Sequence, residues 1–122
     1  GNDGFYLFLI DADNFKSVND CFGHAEGDRA LCVIAETLKE CAGKSNGFAA
    51  RYGGDEFCLT CELADDAAAK AFAASIHKRL EKLAQELPYV LSVSVGYAAA
   101  GCDTTSDELI ATADLKMYQQ KG

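Results

Sequence analysis

The chain has 122 residues, 49% of them hydrophobic and 25% charged, a balance that fits one compact domain in water. Its formal net charge of −8 excludes a nucleic-acid-binding surface, which needs a basic stripe to follow the phosphate backbone. No apolar run reaches the roughly 20 residues that cross a bilayer, so no membrane contact is expected of this segment.

Phe5 to Ile10 is a continuous apolar run, too short for a helix and ending at Asp11, which predicts a buried strand. Turn formers follow at Asn19, Asp20 and Gly23 and predict a loop. From Glu26 to Cys41 apolar residues recur at spacings of three and four, the stripe of an amphipathic helix that stops near Gly43. Phe48 to Tyr52 and Glu56 to Glu62 read as two strands joined by a tight turn at Gly53-Gly54. Asp65 and Asp66 open a long helix whose stripe is Phe72, Ile76, Leu80, Leu83 and Leu87, closed by Pro88. Leu91, Val93 and Val95 alternate with Ser92 and Ser94 as in a half-buried strand, and Ser106 caps a last helix through Leu109, Ala113 and Met117. The order contains a βαββαβ core, which predicts an α+β fold of ferredoxin-like type: an antiparallel sheet backed on one face by helices.

Six cysteines (Cys21, Cys32, Cys41, Cys58, Cys61 and Cys102) lie mostly inside apolar runs. With no secretory leader visible, they are expected to be reduced, small hydrophobic residues of a cytoplasmic protein. Cys58 and Cys61 have CxxC spacing, but residues three apart on a strand point to opposite faces. No second ligand pair follows, which argues against zinc.

Acidic residues gather at the ends of predicted strands: Asp11 and Asp13 after the first, Asp55 and Glu56 at the hairpin. If the first strand lies beside the hairpin, Asp11 and Asp55 approach each other. At about 4 Å and an effective dielectric near 20, two carboxylates repel by roughly 4 kcal/mol. A divalent cation relieves that repulsion, and oxygen-only ligands point to magnesium or manganese. Solvated loop acids that never meet are the alternative. Beside them, the backbone of Asn14 and Phe15 in a tight turn and the side chain of Lys16 offer handles for phosphate; in so acidic a chain a triphosphate needs metal ions to screen it. The run DADNFKSVNDCF is no calcium loop, since Lys16 and Phe22 stand where glycine and glutamate are required. His24, with no partner at ligand spacing, reads as a loop or packing residue.

Arg51 to Phe57 spells RYGGDEF, and residues 11 to 31 spell DADNFKSVNDCFGHAEGDRAL. These resemble the signature of the GGDEF family and its upstream DxDxFKxxND, GH and GD pattern at matching spacing. VSVGYA at residues 93 to 98, with Ala113-Asp114, Met117-Tyr118 and Lys121, is similar to the family's closing strand and helix. The resemblance covers nearly the whole chain and implies a diguanylate cyclase of bacterial second-messenger signalling, with a nucleotide-cyclase-like fold, that condenses two GTP into cyclic di-GMP and pyrophosphate. It implies two magnesium (or manganese) ions per site, bound by Asp11, the carbonyl of Ala12, Asp55 and Glu56, with Asp55 or Glu56 assisting proton removal from the attacking hydroxyl. Asn19 and Asp28 would bond the guanine edge, Leu31 would line its pocket, and the backbone of Asn14 and Phe15, with Lys16, Lys121 and the Gly53-Gly54 turn, would hold the substrate. Each domain would carry one GTP, so catalysis would require a homodimer, regulated by a sensor or receiver domain elsewhere in the protein.

Two departures qualify those implications. The family's DxLTGLxNRR segment before the first strand and an arginine beyond Lys121 have no counterpart in residues 1–122, which predicts a GGDEF domain shortened at both ends, with weak or absent activity as a fragment. The positions that match the family's inhibitory RxxD read Lys44-Ser45-Asn46-Gly47, which predicts no tight product inhibition there, because arginine's bidentate fork is missing. A catalytically degenerate GGDEF domain that binds GTP or a partner is the second reading, and a ferredoxin-like interaction module with incidental acids is the third.

Overall fold

The computed structural model describes residues 4–101 and 104–121. In chain order the elements are β1 (Gly4–Ala12), α1 (Phe15–Phe22), α2 (His24–Gly43), β2 (Phe48–Gly53), β3 (Glu56–Leu63), α3 (Asp66–Leu83), β4 (Val93–Ala100) and α4 (Ser106–Lys121). The strands form one sheet in the order β2-β3-β1-β4, and every neighbouring pair is antiparallel. This is the expected α+β arrangement, with β1 at the centre because its apolar run from Tyr6 to Ile10 is buried throughout.

Alternation along the strands divides the core in two. Tyr6, Phe8 and Ile10 of β1, with Phe57 and Leu59 of β3 and Val93 and Val95 of β4, pack beneath Ile34 and Leu38 of α2 and Phe72, Ile76 and Leu80 of α3. The Phe8 ring lies 5.0 Å from that of Phe72 and 5.2 Å from that of Tyr97. Leu7, Leu9 and Ala98 face the other way and pack beneath Ala113 and Met117 of α4. The βαββαβ core therefore has helices on one face as expected, and α4, outside that core, covers the opposite face of β1 and β4. No described helix is long and apolar enough to cross a membrane.

Several local expectations need correction. The predicted loop after Asp13 contains α1, an eight-residue helix entered through Asn14 in the left-handed region (φ 55°). Phe15 packs against the main core, Val18 is buried, and Phe22 packs 5.0 Å from Tyr89, so tertiary contacts outweigh the turn-forming Asn19 and Asp20. The helix α2 starts at His24, which is an exposed first-turn residue. The helix α3 begins as expected, with the Asp65 carboxylate accepting from the Ala68 N–H (2.9 Å), but it ends at Leu83; Leu87 is buried from the following turn. The strand β4 begins at Val93 and continues to Ala100, and Ser94, expected to face solvent, is 3% exposed. Cys58 and Cys61 do face opposite sides, Cys61 in the main core and Cys58 against the α4 cluster. All five described cysteines are free thiols, but Cys21 and Cys32 are exposed and so are not packing residues. Cys102 lies outside the described residues.

Candidate active site

Register places the acids. Asp11, at the end of β1, is paired directly with Glu56 at the start of β3, and opposed residues of antiparallel strands share a face. The next backbone link runs from the Ala12 N–H to the Asp55 carbonyl (3.2 Å). The backbone at the end of the first strand and at the hairpin tip therefore lies side by side. Asp11, Asp55 and Glu56 are all partly exposed, with one Asp11 oxygen, Oδ1, shielded from solvent. Among the described residues no three His, Cys, Asp or Glu side chains form a ready-made metal cage.

The hairpin tip has a clamp that sequence reasoning did not assign. Arg51 donates from both Nε and Nη2 to the carbonyl of Gly54 (2.9 and 2.6 Å), across the irregular register between Arg51 and Gly53. Gly53 and Gly54 are exposed, and Gly54 takes a positive φ of 38°, as the tight turn predicted. The guanidinium thus fixes the carbonyl that precedes Asp55 and shapes the loop carrying both hairpin acids.

A cavity of about 410 Å³ opens between α2 and β2, lined by Asp28, Leu31, Cys32, Ala35, Ala50 and Arg51 among others. Two of the three residues expected to meet guanine, Asp28 and Leu31, are therefore on its wall. Asn19, the third, is not; it lies on α1 against Gly27 of α2, where any added Cβ would overlap its side-chain amide. Gly27 is thus the residue that lets Asn19 approach the helix beside Asp28. The two helices are also pinned from outside, for the Tyr89 hydroxyl donates to the Glu26 carbonyl (2.9 Å). Burial, reinforced by the Glu26 charge, pushes the Tyr89 phenol above its usual value.

On the other side of β1, a polar cavity of about 310 Å³ is lined by Asp13, Asn14, Ser92, Ser94 and Gln120. Asn14 and Lys16 are exposed and Phe15 is partly buried, so the backbone at the head of α1 stands at the surface next to this cavity. The Gln120 side chain accepts from the Val95 N–H (2.9 Å) and ties the end of α4 to β4. Lys121 closes α4; its side chain lies outside the described residues. At the RxxD-matching positions, Lys44 is exposed just after α2 and Gly47 fits tightly against β3.

Comparison with known proteins agrees with this arrangement. The family model described as diguanylate cyclase, GGDEF domain, matches residues 2–122. Diguanylate cyclase DgcM of Escherichia coli K12 is 35% identical over 117 residues, which cover 96% of this chain and 28% of DgcM; the chain thus spans under a third of that relative. Among solved structures, the GGDEF domain of DgcB from Caulobacter crescentus in complex with c-di-GMP superposes with a TM-score of 0.87 at 26% identity, covering 99% of this chain and 74% of that one. The GGDEF domain of PA1120 (YfiN or TpbB) from Pseudomonas aeruginosa gives 0.85 at 31% identity, covering 98% and 76%. With the RYGGDEF hairpin set against the acidic end of the first strand and the match extending over almost every residue, the chain belongs to the GGDEF family of diguanylate cyclase domains.

Proposed function

We propose that this domain binds GTP with divalent metal and, as one half of a two-fold pair, joins two GTP molecules into cyclic di-GMP. The observation that carries the reading is the register that sets Asp11 against Glu56 and the Ala12 N–H against the Asp55 carbonyl. The donors this reading would use, the carboxylates of Asp11, Asp55 and Glu56 and the Ala12 carbonyl, are all hard oxygens, the set that Mg²⁺ or Mn²⁺ takes. Magnesium is commonly held by one or two protein carboxylates together with substrate phosphates and water, so this donor set fits it without a closed protein cage. Bound there, such ions would lower the pKa of the attacking hydroxyl and offset charge on the phosphates.

The remaining chemistry belongs to the chain. Asp28 would accept from the guanine edge and the Asn19 amide would complete the pairing, leaving an adenine ring mismatched against polar groups. The backbone N–H groups of Asn14 and Phe15, with Lys16 and Lys121, would hold the phosphates. Asp55 or Glu56 would take the proton of the 3′-hydroxyl as it attacks the α-phosphate and pyrophosphate leaves. Because each domain holds one GTP, a second copy must present the other across a two-fold axis. The test is to incubate the full-length protein with GTP and Mg²⁺ and look for cyclic di-GMP by mass spectrometry, beside an Asp55→Ala variant. Product from the wild type and none from the variant is expected; equal product from both would refute the assignment of the hairpin acids.

A further inference from the structure

We propose that Asp13 is a positioning residue, held by the hydroxyls of Ser92 and Ser94 so that the turn at Asn14 presents its backbone to the phosphates of the nucleotide. This rests on the GTP-binding reading above and extends it to residues that contact neither base nor metal.

Asp13 stands between the last residue of β1 and the left-handed Asn14 that heads α1. Three bonds fasten it to one neighbouring strand segment. Its N–H donates to the Ser92 carbonyl (2.9 Å), and its carboxylate accepts from Ser94 Oγ (2.6 Å) and Ser92 Oγ (3.0 Å) through different oxygens. Hydrogen bonds to an ionised acceptor are short and about twice as strong as neutral ones, and Ser94 makes its bond at 3% exposure. Downstream, the Asn14 carbonyl accepts from the N–H groups of Ser17 and Val18 (3.0 and 3.3 Å), so fixing Asp13 fixes the start of α1. One residue along from Ser94, the Val95 N–H is bonded to Gln120. The chain around β4 is therefore a common brace for the turn on one side and the end of α4 on the other.

The clamp also answers an electrostatic problem. A carboxylate beside a phosphate-binding turn repels the ligand, and in a chain of formal charge −8 that repulsion has few basic groups to offset it. Two hydroxyl donors hold the Asp13 charge onto β4 and stop it from swinging across the turn. Removing a donor should therefore weaken binding in proportion to the phosphates on the ligand and leave recognition of the base intact.

The experiment is calorimetric titration of the wild type, Ser94→Ala, Ser92→Ala and Ser92→Thr with GTP and with GMP, each with Mg²⁺, reading GMP by competition where it binds weakly. Expected is a fall of about tenfold in GTP affinity for Ser94→Ala, the size that follows from losing one charge-assisted bond. GMP affinity should change much less, and Ser92→Thr, which keeps the hydroxyl at an exposed position, should behave as wild type. Should Ser94→Ala not fold, Ser92→Ala carries the same comparison with a smaller loss. Equal losses for GTP and GMP would make the clamp merely structural, and unchanged GTP affinity in both alanine variants would overturn it while wild-type binding still stood. A wild type that binds no GTP would remove the functional reading itself and this inference with it.

Discussion

Asp11→Asn separates the fold's interest from the site's. Opposed residues on antiparallel strands carry Cβ atoms about 5 Å apart, so two full charges at Asp11 and Glu56 repel by about 3 kcal/mol at an effective dielectric of 20. Both side chains are partly exposed, and water reduces that ceiling to the range of about 0.2–1 kcal/mol found for cross-strand pairs. In a chelating buffer Asp11→Asn should therefore be more stable than the wild type by up to about 1 kcal/mol, near 4 °C in Tm for a domain of this size. Magnesium should reverse the order: at a hundredfold excess over its Kd a ligand adds about 2.7 kcal/mol to the form that binds it, and the variant should gain much less. Urea melts of both proteins with EDTA and with Mg²⁺ give the four numbers needed. A variant that is less stable in EDTA, or that gains from Mg²⁺ as much as the wild type, would refute the claim that these acids are set against each other for a cation.

Three other outcomes are expected. Asp28→Ala, which strips the carboxylate from the wall of the α2–β2 cavity, should weaken GTP binding by roughly tenfold to a hundredfold, the range for a bond to a charged group, and narrow the preference over ATP; unchanged selectivity by competition titration would count against the base pocket. Phe8→Ala removes a ring with no exposed surface that packs against Phe72 and Tyr97, and should cost about 3–5 kcal/mol in urea denaturation, enough to unfold much of a marginally stable domain. Gly47→Asp, which restores the acid of the RxxD pattern, puts a Cβ 2.5 Å from the Thr60 carbonyl; it should lower stability by about 1–3 kcal/mol and, even combined with Lys44→Arg, leave cyclic di-GMP affinity low by calorimetry.

The sequence makes legible whatever depends on spacing along one element. The apolar run of Phe5 to Ile10, buried from Tyr6 onward, has the length of a central strand, the stripe of Ile34, Leu38 and Cys41 has the period of a helix, and the acid at each strand end follows from where the apolar run stops. Asp11 and the hairpin converge because an α+β core of this order brings those ends together. Less was visible where distant contacts decide. The helix α1 is short, and Asn19 and Asp20 are turn formers by local preference; packing of Phe15 on the main core and of Phe22 on Tyr89, far along the chain, holds it. Ser94 broke the pattern in an informative way, as a polar residue on a strand reads as solvent-facing until Asp13, 81 residues away, supplies its partner. Such local inconsistencies are expected at functional positions.

The same contrast explains why the site is built where it is. Strand β1 is paired on both sides and buried on both faces, so Asp11 and Asp13 hang from the end of a strand enclosed on every side. Polar bonds fasten the segments around them: Arg51 to Gly54, Asp13 to two serines, Gln120 to Val95. Polar attachments of this kind have directional geometry, which apolar packing lacks, and they hold a loop in one orientation without enlarging the core. The phosphoryl transfer proposed for this site would need such placement, because positioning and electrostatic stabilisation supply most of the rate of such reactions. Family members that share the sheet and the acids can accordingly differ in efficiency through these attachments, and changes at Arg51 or Ser94 should alter substrate handling more than they alter the fold.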